Sequence, residues 1–125
     1  MKSVLLVITK EDVRGVATLV TSTQFIKDAV NTPAPQSGGF NIEEMQKRIR
    51  ILNAVDAIDK KEFKFEGTFK EDELEEILKK EALLELEDAD MKNLGEIMKS
   101  ARFGIVSQHI IDLNERIKKE AETVK

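Results

Sequence analysis

The clearest pattern in the chain is an amphipathic stretch from Phe40 to Asp59, which predicts a long helix. Asn41 is suited to cap its first turn, and Glu44, three residues later, completes a capping box. Apolar residues then recur at three- and four-residue spacing: Ile42, Met45, Ile49, Ile51, Leu52, Val55 and Ile58. Because this stripe covers about half of the helix circumference, we expect the other elements to pack around it.

The N-terminal part predicts a strand followed by a helix. The run from Val4 to Ile8 is continuous and rich in β-branched residues, which predicts a short buried strand. Thr9 and Asp12 have the spacing of a helix cap, so we predict that a helix begins near Glu11. The apolar residues of this predicted helix lie on one face: Val13, Val16, Ala17 and Val20.

A polar segment at residues 21–23 is expected to interrupt this first helix, because Ser and Thr compete for backbone hydrogen bonds. The helix then resumes through three apolar residues, Phe25, Ile26 and Val30. The segment Asn31–Gly39, with two prolines and two glycines, predicts the loop that leads into the long helix.

After the long helix the pattern changes to alternation. The phenylalanines at Phe63, Phe65 and Phe69 predict a strand. A short acidic helix is expected over Lys70 to Glu81, and the alternating sequence around Leu84 and Leu86 predicts a second strand. If this strand pairs with Phe63–Phe65, the short helix crosses a small two-stranded unit.

Two further helices are expected at the C-terminal end. Asp88 is suited to cap the first, whose apolar seam is narrow: Met91, Leu94, Met98 and Ala101. Gly104 would end or bend it, and Ser107 would cap the last helix. The inward residues of that last helix are predicted to be Ile110, Ile111, Leu113, Asn114 and Ile117. The fold prediction is therefore mainly α (α+β): one small helical domain over residues 1–125, with a short two- or three-stranded β element.

Composition narrows the chemistry. The 125 residues are 41% hydrophobic and 35% charged, as in soluble, ordered proteins. Cysteine is absent, which excludes disulfide bonds, a thiolate nucleophile and cysteine-ligated zinc. The apolar run near the N-terminus is too short for a signal peptide or a membrane span, so we expect a cytoplasmic protein without a membrane partner.

Charge is unevenly distributed around a net value of −4. Residues 62–90 carry 12 acidic and 4 basic side chains, whereas residues 1–61 carry 7 and 9, and residues 91–125 carry 5 and 7. An acidic centre disfavours nonspecific nucleic-acid binding through that segment. It would favour a basic partner or head-to-tail association between copies, unless it is simply a solvated helix face.

The sequence offers no convincing catalytic, cofactor-binding or metal site. An acidic cluster contains possible oxygen ligands for a divalent cation, but it lacks the spacing of a calcium loop: Glu85, Glu87, Asp88 and Asp90. His109 is the sole histidine, and we expect it at a surface or half-buried position rather than as a general base. Gly38–Gly39 is not followed by the lysine of a phosphate-binding loop. We therefore predict neither a cofactor nor an enzymatic activity.

Two groups of residues are candidates for an interaction surface. One is a basic cluster on the long helix, formed by Lys47, Arg48 and Arg50. Arg102, later in the chain, is expected to lie beside this cluster in the folded protein. Three roles fit this cluster: it could bind nucleic acid, form a solvated helix face, or form salt bridges with the acidic centre. The other is the seam formed by Met91, Leu94 and Met98, which would form an adaptable docking groove or ordinary core.

The order of segments resembles that of the small proteins encoded in the structural gene clusters of tailed phages and prophages. The segments are the loop NTPAP, the helix EEMQKRIRILNAVDA, the strand and helix start LLELEDAD, and ARFGIVSQHIIDL, together covering about residues 25–117. The acidic insertion Lys64–Ala82 departs from the compact version of this pattern. The resemblance implies a role in virion assembly, as a tail assembly chaperone or a connector subunit, in the host cell cytoplasm.

The sequence therefore predicts a non-enzymatic protein–protein interaction or assembly protein. Its expected partners are further copies of itself and other virion proteins. The alternative is a small dimeric regulator that binds nucleic acid through Lys47, Arg48, Arg50 and Arg102. A steep salt dependence of nucleic-acid binding would distinguish the alternative from the first hypothesis.

Overall fold

The computed structural model describes residues 2–13, 15–32, 38–61, 63, 71–103 and 107–122. These residues form strands and helices in the order β1 (Lys2–Val13), β2 (Val16–Thr21), α1 (Ser22–Val30), α2 (Ile42–Lys61), α3 (Glu71–Leu78), β3 (Glu81–Leu86), α4 (Asp88–Ser100) and α5 (Gln108–Glu122). The prediction of a mainly helical α+β fold with a small β element is confirmed.

The sheet is antiparallel, and β1 is its central strand, in the order β2-β1-β3. The N-terminal half of β1 pairs with β3, with Val4 opposite Leu84. Its C-terminal half pairs with β2, with Ile8 opposite Thr21. The predicted strands around Val4–Ile8 and Leu84–Leu86 are thus confirmed, but the partner of β3 is β1. Phe63 is buried, and the rest of the strand predicted through Phe69 lies outside the described residues.

The helix predicted from Glu11 is wrong, because this region forms a β-hairpin. β1 continues to Val13, and the chain returns as β2 from Val16. Gly15 adopts a positive φ of 83°, which glycine allows without the steric cost of a Cβ. The residues on both sides are rich in valine and threonine, whose branched Cβ atoms favour extended backbone.

The helix predicted to resume through Phe25 is confirmed as α1. Thr21 caps it, because its Oγ1 accepts a hydrogen bond from the Gln24 N–H at 3.1 Å. Inside the molecule, α1, α2, α4 and α5 bury their apolar sides together with side chains of the sheet. The largest fully buried side chains are Leu6, Ile8, Ile26, Ile51, Leu84, Met91, Leu94, Leu113, Ile117, Val4, Val30 and Val55.

The long helix α2 begins where predicted, but its buried face is narrower than the predicted apolar stripe. Asn41 caps it, since its Oδ1 accepts a hydrogen bond from the Glu44 N–H at 2.8 Å. The buried residues of α2 are Arg48, Ile51 and Val55. The prediction that the whole apolar stripe faces inward is therefore wrong for its N-terminal members, which are exposed: Ile42, Met45 and Ile49. The neighbouring elements cover one side of the stripe and leave the other to solvent.

The remaining helices differ from the predictions in detail. α3 ends at Leu78, because the chain turns into β3 at Glu81. The capping position of α4 is occupied by Glu87 rather than by Asp88, and its side chain makes no capping hydrogen bond. Ser107 caps α5 as predicted: its Oγ accepts a hydrogen bond from Ile110 N–H at 3.4 Å.

Ile111 does not face inward as predicted. Its side chain on α5 is 51% exposed, whereas Ile110, Leu113 and Ile117 of the same helix are buried. The predicted helix end at Gly104 lies outside the described residues.

α4 and α5 approach each other closely at Gly95. A Cβ atom added there would lie 2.7 Å from the Cβ of Ala121. We expect Gly95→Ala to lower the free energy of unfolding by about 1 kcal/mol, because steric crowding outweighs the better helix propensity of alanine. Urea unfolding measures this change. The double variant Gly95→Ala/Ala121→Gly should recover most of the loss, and an unchanged single variant would contradict the close approach.

Candidate functional site

The most distinctive surface feature is a row of apolar side chains on α2, called here the α2 row: Ile42, Met45 and Ile49. Their exposed fractions are 73%, 48% and 55%. The spacings of three and four residues place them on one side of the helix. Within the described part of the chain, the α2 row is the place where several large exposed apolar residues follow one another on a single element.

The charged residues in this part of α2 change sign along the helix, but helical spacing places them off the α2 row, with Lys47 on the opposite side of the helix. Glu43 and Glu44 lie in the first turn of α2, and Lys47 and Arg50 follow one and two turns later. The Lys47 ammonium lies 3.8 Å from the Glu43 carboxylate. The first turn of α2 is thus acidic, and the next two turns carry basic residues.

Arg48, a predicted surface residue, is buried and links α2 to the end of α1. Its guanidinium donates hydrogen bonds to the carbonyl oxygen atoms of Val30 at 2.8 Å and Thr32 at 3.3 Å. It also contacts Glu44, with Nε 3.2 Å from Oε2, and lies 4.4 Å from the ring centroid of Phe40. Arg48 therefore completes hydrogen bonds at the C-terminus of α1 and is not available to a ligand.

The other predicted basic residues are only partly available. Arg50 is 3.0 Å from the carboxylate of buried Asp90, and this hydrogen bond raises the pKa of Arg50. Lys47 is half-buried beside Glu43, and Arg102 is exposed in the segment after α4. The positive charge that this cluster can offer to nucleic acid is thus reduced by partners within the fold.

The second predicted group does not form a groove. Met91, Leu94 and Met98 are all buried in the hydrophobic core. Residues at this spacing could form either core or a docking surface. In the structure they lie on the side of α4 that packs against the rest of the molecule.

A cluster of buried and half-buried polar side chains joins β1, α1 and α5 around the sole histidine. This His109 cluster comprises Thr9, Glu11, Ser22, Ser107 and His109. Thr9 Oγ1 lies 2.7 Å from Nδ1 of His109, and Ser22 Oγ lies 2.8 Å from Nε2. Glu11 accepts hydrogen bonds from the His109 backbone N–H at 3.1 Å and from the Ser107 hydroxyl. Glu11 thus caps α5 with a negative charge, which suits the helix dipole.

The contact between His109 and Ser22 has the atom types of a base and a nucleophile, but its surroundings make it structural. Ser22 is fully buried, and His109 is 4% exposed. Val7 donates its N–H to Ser22 Oγ at 3.0 Å, and its carbonyl oxygen accepts from the same hydroxyl at 3.2 Å. A neutral imidazole with its proton on Nε2 satisfies this network when Thr9 donates to Nδ1. The prediction of a surface or half-buried histidine is therefore wrong.

Nothing near His109 in the sequence indicates this cluster. Thr9 is separated from it by 100 residues and Ser22 by 87 residues. Burial lowers the pKa of His109, and Arg116 acts in the same direction, whereas Glu11 and Asp112 oppose this shift. The imidazole is consequently held in its neutral form within the core.

This lowered pKa makes stability depend on pH. As the pH falls below the ordinary histidine pKa of 6.5, the unfolded chain binds a proton that folded His109 resists. We expect a lower free energy of unfolding at about pH 5 than at about pH 7.5. Urea unfolding at both pH values measures this difference in the free energy of unfolding. Most of the difference should disappear in the variant His109→Gln. A similar difference in both proteins would assign the pH dependence to other groups.

The acidic residues considered as metal ligands do not converge. Asp90 binds Arg50, whereas Glu85, Glu87 and Asp88 are exposed. Among the residues that the structure describes, no three His, Asp or Glu side chains are grouped as a cation site would require. None of the described helices has the length and apolar character needed to cross a membrane.

Comparison of the chain with protein-family models, with curated protein sequences and with solved structures gives no match.

Proposed function

We propose that this chain is a non-enzymatic assembly protein that associates with further copies of itself through the α2 row. The observation that carries the proposal is the exposure of three large apolar side chains at helical spacing on α2. Fully burying a side chain of this kind contributes about 1.5–3 kcal/mol. Two copies that pack their rows together remove six such side chains from water.

The change in charge along α2 favours an antiparallel arrangement of the two helices. In a parallel pair, the acidic first turns of the two helices would lie level with each other, as would the turns that carry Lys47 and Arg50. In an antiparallel pair related by a two-fold axis, the acidic first turn of each helix lies level with the basic turns of the other. Opposite helix dipoles also lie side by side in this arrangement. Self-complementarity is what identifies a second copy, rather than a different protein, as the occupant.

The contact is small, so the association is expected to be reversible and to depend on concentration. Light scattering on the purified protein should give an average mass that rises with concentration toward twice the monomer mass. Added salt should weaken the association only slightly, because the charged side chains of α2 lie off the α2 row and interact across the interface only at a distance.

Ile49→Glu tests the interface, and Ile111→Glu is its matched control. Both isoleucines are about half exposed on a helix, 55% and 51%, so the two substitutions change charge and polarity equally. We expect Ile49→Glu to remain monomeric and Ile111→Glu to associate like the unchanged protein. Monomers at every concentration, or equal loss in both variants, would contradict the proposed interface.

The more specific role in head–tail or tail assembly of a phage or prophage is supported by the order of sequence segments alone and stays a prediction. Nucleic-acid binding through Lys47, Arg48, Arg50 and Arg102 is the weaker proposal. Arg48 is buried against α1, and Arg50 is engaged with Asp90, which leaves less positive charge for phosphate groups.

A further inference from the structure

A second surface lies on the outer side of β3. In the described part of the chain, β3 pairs with β1 along one edge, and no strand pairs with its other edge. A groove runs between that outer edge and the C-terminal half of α2, where Ala54, Ala57 and Ile58 form its helical side. The strand side includes Glu81, Leu83 and Glu85. This groove does not include the α2 row.

The register of the sheet shows which backbone groups face the groove. Leu5 lies opposite Leu83, and Val7 lies opposite Glu81. The carbonyl oxygen of Leu5 accepts from Arg116, and both backbone groups of Val7 bond to Ser22, so these residues direct their backbone groups away from β3. In an antiparallel ladder their opposite residues do the same. Leu83 and Glu81 therefore present N–H and C=O groups at the outer edge.

The side chains along this edge alternate between acidic and apolar character. Leu83 is 58% exposed, and Glu81 and Glu85 on either side of it are exposed as well. All three point to the same face, because side chains in a strand alternate with a period of two. Lys61 also lines the groove, but the two glutamates outnumber it.

This pattern selects against a second copy as the partner strand. Antiparallel pairing of two β3 strands around Leu83 would place Glu81 of each copy opposite Glu85 of the other. Parallel pairing in register would place each glutamate opposite itself. Like charges directly opposite each other destabilise a sheet, and charged edge strands resist self-pairing for this reason. A strand with two basic residues flanking an apolar one is complementary instead.

We propose that the outer edge of β3 binds an extended segment of a partner protein with the pattern basic-x-apolar-x-basic, which adds a fourth strand beside α2. Backbone hydrogen bonds to Glu81 and Leu83 would hold the segment, as in other cases of strand addition. The apolar residue would contact Leu83, and the basic residues would contact Glu81 and Glu85. The acidic excess of residues 62–90, 12 acidic against 4 basic side chains, would attract such a segment.

The direct test titrates ¹⁵N-labelled full-length protein with the peptide Thr-Lys-Thr-Val-Thr-Lys-Thr and follows amide chemical shifts. We expect saturable shifts concentrated in β3 and at Ala54, Ala57 and Ile58. The peptide with Glu in place of both Lys residues, and the peptide with Pro in place of Val, should cause no saturable shift. Shifts located elsewhere, or equal shifts with the acidic peptide, would overturn the proposal.

Two charge-reversal variants separate local contact from the general acidic field. Glu81→Lys/Glu85→Lys changes the groove, whereas Glu75→Lys/Glu76→Lys makes the same change in charge at exposed positions of α3. We expect the first variant to weaken peptide binding by about tenfold or more and the second to weaken it less than about twofold. Equal weakening in both would overturn the site. The monomeric variant Ile49→Glu should bind the peptide normally, which makes this test independent of self-association.

Discussion

Replacement of His109 by alanine is expected to lower the free energy of unfolding by about 3 kcal/mol. The substitution removes an imidazole ring packed edge-on against Phe25, with 5.1 Å between ring centroids. It also leaves the Thr9 hydroxyl without its hydrogen-bond partner and opens a cavity where β1, α1 and α5 meet. The two effects add, because a buried polar group without a partner and an unfilled volume each cost stability.

Gln108→Ala is the matched control for this prediction. Gln108 is exposed beside His109 on α5, and its side chain donates a hydrogen bond to the carboxylate of Asp112 at 2.9 Å. Its replacement should change the free energy of unfolding by less than about 0.5 kcal/mol. Urea denaturation of both variants measures the contrast. Equal, small effects in both would show that the His109 cluster does not hold the three elements together.

Replacement of Arg48 by alanine is expected to cost about 2–3 kcal/mol. The guanidinium donates hydrogen bonds to the carbonyl oxygen of Val30, at the end of α1, and to that of Thr32, just beyond it. Alanine leaves the Val30 carbonyl without this donor. Arg48→Met retains most of the packing along α2 but none of the hydrogen bonds. If hydrogen bonding dominates, the methionine variant should lose nearly as much stability as the alanine variant.

Lys47→Ala is the control for Arg48. Lys47 precedes it on α2, and its ion pair with Glu43 lies at the surface, where such pairs contribute about 0–1 kcal/mol. Thermal or urea unfolding should therefore separate the two positions clearly. A loss at Arg48 no larger than the loss at Lys47 would contradict its assigned role at the end of α1.

Features that depend on neighbouring residues could be predicted from the sequence. Asn41 and Ser107 cap helices as their positions indicate, because a cap is a contact between residues three or so apart. β3 was found from the alternation around Leu84, although its strand partner was not. The partner, β1, lies about 80 residues earlier in the chain, and strand alternation alone does not identify it.

The hairpin was missed because valine spacing there fits two structures. Val13, Val16 and Val20 recur at helical intervals, yet Val16 and Val20 also fit the alternation of a strand. Gly15 between the two strands was the available signal for a turn. The β-branched composition also favours a strand, because branched Cβ atoms suit extended backbone.

The candidate surfaces were missed for a different reason. A stripe that covers half of α2 indicates that the helix is amphipathic, but not which part of the stripe the other elements cover. The exposure of the α2 row thus follows from how α1, β3 and α4 pack on the opposite part. Likewise, the hydrogen bonds of Arg48 and His109 connect residues that are distant in sequence. The burial of these two side chains could therefore not be inferred from the local sequence pattern.

The central claim is that two copies pack antiparallel through the α2 row, and disulfide cross-linking tests it most directly. The chain has no cysteine, so each single-cysteine variant carries one thiol. If Ile42 lies opposite Ile49 of the second copy, the two-fold axis passes beside Met45. Under mild oxidation Met45→Cys should then form dimers alone, whereas Ile42→Cys and Ile49→Cys should do so only when mixed. Efficient dimers of each variant alone would indicate parallel helices, and no cross-linking in any combination would contradict the interface.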